Sequence, residues 1–202
     1  MNHTITLYAQ WTENYLTVNL YKNVTDWNAE APNNPPKDGT KFANTDPNMK
    51  VALYNGTTKV AEATTSGGKA RFNGIDILDS EGERIEYSLW AQRSQYDEEL
   101  VDTGRKATVY WNNGTMTGTN GYINYFKVSL TADDASHFAE NGLSGAGFYL
   151  PGEEVSVSAA AATGYQFLQW NEGDGMVSAE NPYSFTVTGA VSYTAVSKLF
   201  GD

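Results

Sequence analysis

The sequence predicts an all-β protein, on three observations. Short runs such as Leu16-Thr17-Val18-Asn19-Leu20-Tyr21 alternate apolar and polar side chains with a period of two, as a strand with one buried face does. Clusters of Gly, Asn, Asp and Pro separate the runs, and these are the residues that tight turns require. Aromatic residues make up 13% of the chain, with 13 Tyr and 5 Trp, enough apolar bulk to close a thin β core without disulfides.

Taken in order, the first run is Ile5-Thr6-Leu7-Tyr8-Ala9-Gln10-Trp11, a strand that ends at Thr12-Glu13-Asn14 with nothing before it to pair with. Its alternation puts Ile5, Leu7, Ala9 and Trp11 on one face, which would be driven to add to another sheet edge. The run from Leu16 to Tyr21 opens a new unit. Residues 25–48 read as loop, because Pro32, Pro35, Pro36 and Pro47 interrupt pairing. Asn55-Gly56 between the alternating runs 50–54 and 58–63 predicts a β-hairpin. Strands follow at 70–72 and 85–90, separated by the acidic turn Asp79-Ser80-Glu81-Gly82-Glu83, and at 107–111. The Gly, Thr and Asn residues of 114–121 read as a linker. Beyond it lie strands at 126–131, 154–159, 165–170, 183–188 and 193–196, with a helical turn in 133–140 capped by Asp133 or Asp134.

A formal net charge of -11 opposes binding to a phosphate backbone or an anionic lipid surface. Nucleic acid is therefore not an expected partner. The chain has no Cys, which excludes a disulfide framework, a thiol nucleophile and thiolate metal sites. No run approaches the roughly 20 apolar residues of a membrane-spanning helix, so no membrane insertion is expected within this segment.

The C-terminal unit resembles the divergent internalin-B-type repeat of bacterial surface proteins. The residues that carry the likeness are Tyr149-Leu150-Pro151-Gly152-Glu153-Glu154-Val155-Ser156-Val157, Gly164-Tyr165-Gln166-Phe167-Leu168-Gln169-Trp170, Tyr183-Ser184-Phe185-Thr186-Val187 and Tyr193-Thr194-Ala195-Val196. The run Thr6-Leu7-Tyr8-Ala9-Gln10-Trp11 is similar to the last strand of the ordinary internalin-B-type repeat. The middle block, with 49–54, 68–74 and Gly82-Glu83-Arg84-Ile85-Glu86-Tyr87-Ser88-Leu89, resembles collagen-adhesin B-type domains, which are transthyretin-like β-sandwiches. The resemblance implies a remnant strand at 1–14, a small β-sandwich at 15–125 and a small β-repeat domain at 126–202. It also implies that Trp170, with Tyr165 and Phe167, forms the structural core of the last unit. Some collagen-adhesin domains join a first-strand Lys to a last-strand Asn under catalysis by a buried acid. Here the Lys position falls near Leu20 and the acid position near Ala91, with Asn124 at the Asn. Lys22 and Glu86 are the out-of-register substitutes, so no crosslink is expected.

His3 and His137 are the only histidines available as bases, and both read as exposed, His137 in a surface turn with Asp133, Asp134 and Ser136. The acidic turns Glu153-Glu154, Asp97-Glu98-Glu99 and 171–175 lack the alternating ligands of a calcium loop. No strand-to-helix glycine loop is present to cradle a phosphate. Catalytic, metal and cofactor sites are accordingly expected to be none. Of the Trp residues, Trp11 and Trp170 sit at core-strand positions of their repeats, leaving Trp27, Trp90 and Trp111 as surface aromatics. Trp27, in the Pro-rich loop, is the candidate ligand contact. The expected role is a non-catalytic stalk or adhesive module of a large bacterial surface or secreted protein, acting outside the cell. Its partners would be a host or matrix protein or glycan and the neighbouring repeat domains. The rival expectation is a carbohydrate-binding or accessory module of a secreted polysaccharide-degrading enzyme.

Overall fold

The computed structural model describes residues 13–25, 36–109, 111–112, 115–116 and 121–201. The proposed N-terminal strand and Trp27 lie outside them. The protein is all-β. Its strands are β1 Tyr15–Lys22, β2 Thr40–Lys41, β3 Lys50–Asn55, β4 Thr58–Thr64, β5 Lys69–Asn73, β6 Glu86–Gln92, β7 Leu100–Thr108, β8 Trp111–Asn112 and β9 Thr115–Met116. They continue with β10 Gly121–Ala132, β11 Phe138–Ser144, β12 Gly147–Tyr149, β13 Glu154–Ala161, β14 Tyr165–Glu172, β15 Gly175–Ser178, β16 Tyr183–Thr186 and β17 Val191–Leu199. A single 3-10 turn, Ala135–His137, interrupts the described strands.

The first core lies between two sheets. One has the order β4-β3-β6-β7; the other brings β5 and β2 onto β1, which pairs in parallel with β10. The hairpin at Asn55-Gly56 forms β3 and β4, with Gly56 at a φ of 58°. The inner faces contribute Leu16, Val18 and Leu20 from β1, Ala70 and Phe72 from β5, Val51 and Leu53 from β3, and Tyr87, Leu89 and Ala91 from β6. Each set is spaced by two, as a pleated strand with one inward face requires. The entry of β10 is tight: a Cβ on Gly121 would lie 2.9 Å from Leu89 and 3.2 Å from both Ala107 and Val18. Glycine there lets the two sheets close over the start of the strand.

The second core lies between the sheet β10-β17-β14-β15 and the sheet β11-β13-β16. Strand β13 shows the alternation plainly, with Val155, Val157 and Ala159 buried and Glu154, Ser156 and Ala160 exposed. Trp170 fills the centre at 0% exposure, in one cluster with Val155, Val157, Val187 and Ala195. Its ring lies 5.3 Å from that of Phe167. Its indole N–H makes no hydrogen bond among the described residues, so what it contributes is bulk. Trp170 and Phe167 share a face despite odd spacing because β14 bulges between Phe167 and Gln169. The extra residue, Leu168, is expelled to 40% exposure.

Strand β10 belongs to both cores. Gly121–Tyr125 pair with β1, and Val128–Ala132 pair with β17, both in parallel. Ile123 and Tyr125 point into the first core, whereas Phe126 and Val128 point into the second. The parity changes from odd to even at 125/126, so the two cores lie on opposite faces of one uninterrupted strand. Tyr122, on the even face, joins Tyr21 and Val24 in a small third cluster.

Several elements differ from the sequence reading. Strand β10 begins at Gly121, inside the stretch read as a linker, because its early residues pair with β1 and are buried against the first core. Of the run read as 107–111, residues 107 and 108 end a longer β7 that is already paired with β6 from Leu100 onward, and Trp111 begins β8. The helical turn is confined to 135–137, where the Asp134 side chain accepts from the Ser136 N–H. Phe138 is then drawn into the second core as the start of β11.

Replacing Trp170 with Ala is expected to cost about 3 to 5 kcal/mol, and Trp170→Phe far less, since no hydrogen bond is lost. Thermal melting followed by far-UV circular dichroism checks this; unchanged melting of the Ala variant refutes the central role of Trp170.

Candidate functional site

The β6–β7 loop meets the segment around β12 through both polar and apolar groups. Its shape is local: the Ser94 hydroxyl accepts from the Tyr96 N–H at 3.2 Å, and the Asp97 carboxylate accepts from the Glu99 N–H at 2.9 Å. Gln92, buried beneath it, donates to the Asp97 carbonyl at 2.7 Å and accepts from the Lys50 N–H at 2.7 Å. The loop then meets the segment around β12. The Leu150 N–H donates to the Arg93 carbonyl at 2.9 Å, the Phe148 N–H to Gln95 Oε1 at 3.2 Å, and the Tyr96 hydroxyl to the Ala146 carbonyl at 2.9 Å. Ser94 and Tyr149 form a bridge between the two backbones. The Tyr96 ring lies against Gly147, where a Cβ would stand 2.9 Å from it.

Beneath these bonds, Phe148 and Leu150 leave the second unit and enter the first core. The Phe148 ring is 4.9 Å from that of Phe42, which is 5.7 Å from Tyr125. The Tyr125 hydroxyl donates to the Gln92 carbonyl at 2.8 Å, and burial pushes its pKa far above the ordinary phenol value. The junction is thus an interlocked joint, with side chains of one unit completing the core of the other. Beside it is a cavity of about 410 Å³ whose wall includes Val101, Arg105, Ile123, Asn124, Phe126 and Leu150. Burial lowers the Arg105 pKa to about 10.

The crosslink positions fall in different places. Leu20 and Ala91 are both fully buried in the first core. Asn124 sits on the opposite face of β10 from Ile123 and Tyr125, and its side chain pairs with the backbone of Val24. Lys22 is in register with Tyr125, one residue beyond the Tyr21–Asn124 pair, so the pleat turns it away from Asn124. Its Nζ instead meets the Asp46 carboxylate at 2.7 Å and lies 5.9 Å from the Phe148 ring centroid. Burial opposes the charge on Asp46, but the hydrogen bond from Lys22, the Ala43 N–H and the nearby charges of Lys22 and Lys127 outweigh it and hold the carboxyl below its usual range. Glu86 is exposed at the start of β6, distant in register from either.

His137 is brought together with a residue that sequence spacing did not point to. Its Nδ1 lies 2.8 Å from the Ser197 hydroxyl, and its ring stacks on Tyr165 with centroids 3.8 Å apart. Ser197 also reaches the Asp133 carboxylate, by its N–H at 3.0 Å and its hydroxyl at 3.1 Å. The Asp134 carboxyl is lowered below its usual range, chiefly by its hydrogen bond from the Ser136 hydroxyl. Ser, His and Asp are all present, yet the serine N–H that might bind an oxyanion is already committed to Asp133. The arrangement fastens the 3-10 turn to β17.

Of the residues singled out from sequence, Trp170 and Phe167 share the second core, while Tyr165 is half-buried and covers His137 outside that cluster. Trp90 stacks on Tyr54 at 4.4 Å, so each ring covers one face of the other. No group of three or more His, Asp or Glu residues capable of holding a metal occurs among the described residues. No helix in them is long and apolar enough to cross a membrane. Sequence pattern does not mark Tyr96 and Phe148 as joint residues, and Leu150 enters only as part of the repeat likeness. The signal available was a second run of large apolar residues, 148–150, too short to need so much burial within its own unit.

Residues 135–198 match the family model of the divergent InlB B-repeat domain. No curated protein matches the chain significantly. Similar solved structures include two B repeat units of the collagen binding protein of Staphylococcus aureus, at 14% identity and a TM-score of 0.26 over 93% of this chain. The chain spans 50% of that structure. A single B repeat unit of the same protein is 15% identical, with a TM-score of 0.26 over 92% of this chain and 98% of that one. A shaft pilin from Lactobacillus rhamnosus GG is 13% identical, with a TM-score of 0.26 over 95% of this chain and 84% of that one. TM-scores this low decide nothing about the arrangement of residues here.

Phe148→Ala is expected to destabilise the first unit by about 3 to 5 kcal/mol, although the residue belongs to the sequence of the second; hydrogen exchange at β3 and β6 amides reads this directly, and protection lost only around β13 and β14 contradicts it. The Asp46 carboxyl is depressed in the folded state, so its contribution is complete above the ordinary carboxylate pKa and is lost as pH falls through the lower folded value. Asp46→Asn should therefore be less stable than the parent at neutral pH, the gap closing in acid; a constant gap in urea titrations across that range would contradict the ion pair. Intact mass should equal the sequence mass, whereas a deficit of one ammonia or one water would reveal a Lys22 amide.

Proposed function

We propose that this chain is a non-catalytic stalk or adhesive module of a large bacterial surface or secreted protein, acting outside the cell. In this reading residues 15–125 and 126–202 are two small β units in series, with 1–14 as the last strand of a preceding repeat. They hold a binding region away from the envelope and pass directly into neighbouring repeats. The repeat-family match over 135–198 supports it. The observation that carries it is the joint, where β10 runs unbroken through both cores and Phe148 and Leu150 seal them together. A spacer is useful only if its units do not bend freely, and a continuous strand with an interlocked loop supplies that stiffness.

The contact partner in this reading is a protein or glycan of host or matrix. Trp27 is its candidate contact, and the Tyr54–Trp90 stack offers no open aromatic platform of two parallel faces. A glycan array and a panel of immobilised matrix proteins, probed with the labelled full chain, test the proposal. The spacer reading expects no glycan retention and a solution scattering curve that fits one rigid body. Saturable glycan binding abolished by Trp27→Ala would overturn the pure spacer in favour of a module that contacts glycan through that residue.

A further inference from the structure

Strands β1, β10 and β17 all run in the same direction, and each pairs with the next through five register positions: Val18–Lys22 with Gly121–Tyr125, then Val128–Ala132 with Val191–Ala195. Load entering before Tyr15 and leaving after Leu199 pulls β1 backward and β17 forward along a common axis. In parallel strands pulled from opposite ends, every rung is strained at once and all must fail together. Strands pulled from the same end peel open one rung at a time. The path of the load is β1 to β10 to β17, and it bypasses every loop of both units.

Side chains add rungs where each ladder ends. Past Lys22, Asn23 takes a left-handed φ of 60°, donates its N–H to the Tyr125 carbonyl at 2.9 Å and accepts the Lys127 N–H on its Oδ1 at 2.9 Å. Past Ala132, the Asp133 N–H donates to the Ala195 carbonyl at 2.9 Å, and its carboxylate holds the Ser197 N–H at 3.0 Å. The Thr131 and Thr194 hydroxyls meet at 3.0 Å across the same ladder. Flanking side chains such as Leu20, Ile123, Val128 and Ala195 are buried, so water cannot readily replace a strained bond.

We propose that β1, β10 and β17 form a continuous shear clamp that bears tension through both units without a covalent crosslink. This rests on the stalk reading for its biological use but not for its geometry. Asn23 and the Asp133–Ser197 pair are then latches at the ends of the two ladders, which gives the serine, histidine and aspartate cluster a mechanical role.

The chain has no Cys, so paired cysteines can serve as unique handles for single-molecule pulling on the full protein. Glu13→Cys with Phe200→Cys loads both ladders in shear. Ala135→Cys with Phe200→Cys pulls β10 and β17 from the same end and peels them. Thermal melts of both double variants confirm that each is folded before pulling. At equal loading rate the shear pair is expected to unfold at several-fold higher force, forced unfolding being governed by the unfolding barrier along the pulled direction. Equal force in the two geometries, or a weaker shear geometry, would overturn the clamp. A chain that binds glycans yet resists in shear loses only the stalk reading; one that binds none yet yields equally in both loses only the clamp.

Discussion

The structure depends on the pleat of one strand. Because successive side chains of a strand point to opposite faces, β10 can supply Ile123 and Tyr125 to one core and Phe126 and Val128 to another without a bend or a break. Two sandwiches built on separate strands would need a linker whose backbone groups face water and whose torsions are free. Here the backbone bonds that would belong to a linker are ladder bonds to β1 and β17. The relative placement of the cores follows from strand geometry and from the point at which the parity changes.

That placement leaves a gap beside the strand, which the β6–β7 loop and the β12 segment close together. Phe148 and Leu150 carry apolar bulk across the boundary, and Tyr125 carries a buried hydroxyl that must find an acceptor. The Gln92 carbonyl is that acceptor, at 2.8 Å, and the Gln92 side chain in turn holds the loop that receives the second unit. Core packing of the first unit and docking of the second are therefore coupled through one residue. Such units do not lose stability independently, because Phe148 and Leu150 of the second are part of the core of the first.

The charged clusters point the same way. Lys22 with Asp46, and Asp133 with Ser197, each satisfy their partners closely, so neither leaves a reactive group with an open approach. A nucleophile needs an activated lone pair and a site for the developing charge, and these groups spend theirs on holding loop or turn to strand.

Much of this was legible in the chain itself. Alternation with period two located the runs of β1, β3 and β13, and Asn55-Gly56 located a hairpin, because burial on one face and turn torsions are both local requirements. The resemblance to the divergent internalin-B-type repeat marked Trp170 for a core. What only the tertiary structure decided were the features that depend on a distant neighbour. The start of β10 read as a linker because Gly121 has no side chain, although it is glycine there since Leu89, Ala107 and Val18 leave no room for one. Tyr165 read as a core partner of Trp170, but at the start of β14 its ring stacks on His137 instead. Ser197 is far from Asp133 in sequence and beside it only because β17 returns parallel to β10. Local pattern thus determined which residues are strand and which face is apolar; pairing partners, the shared strand and the joint arose from long-range packing, which no window of sequence contains.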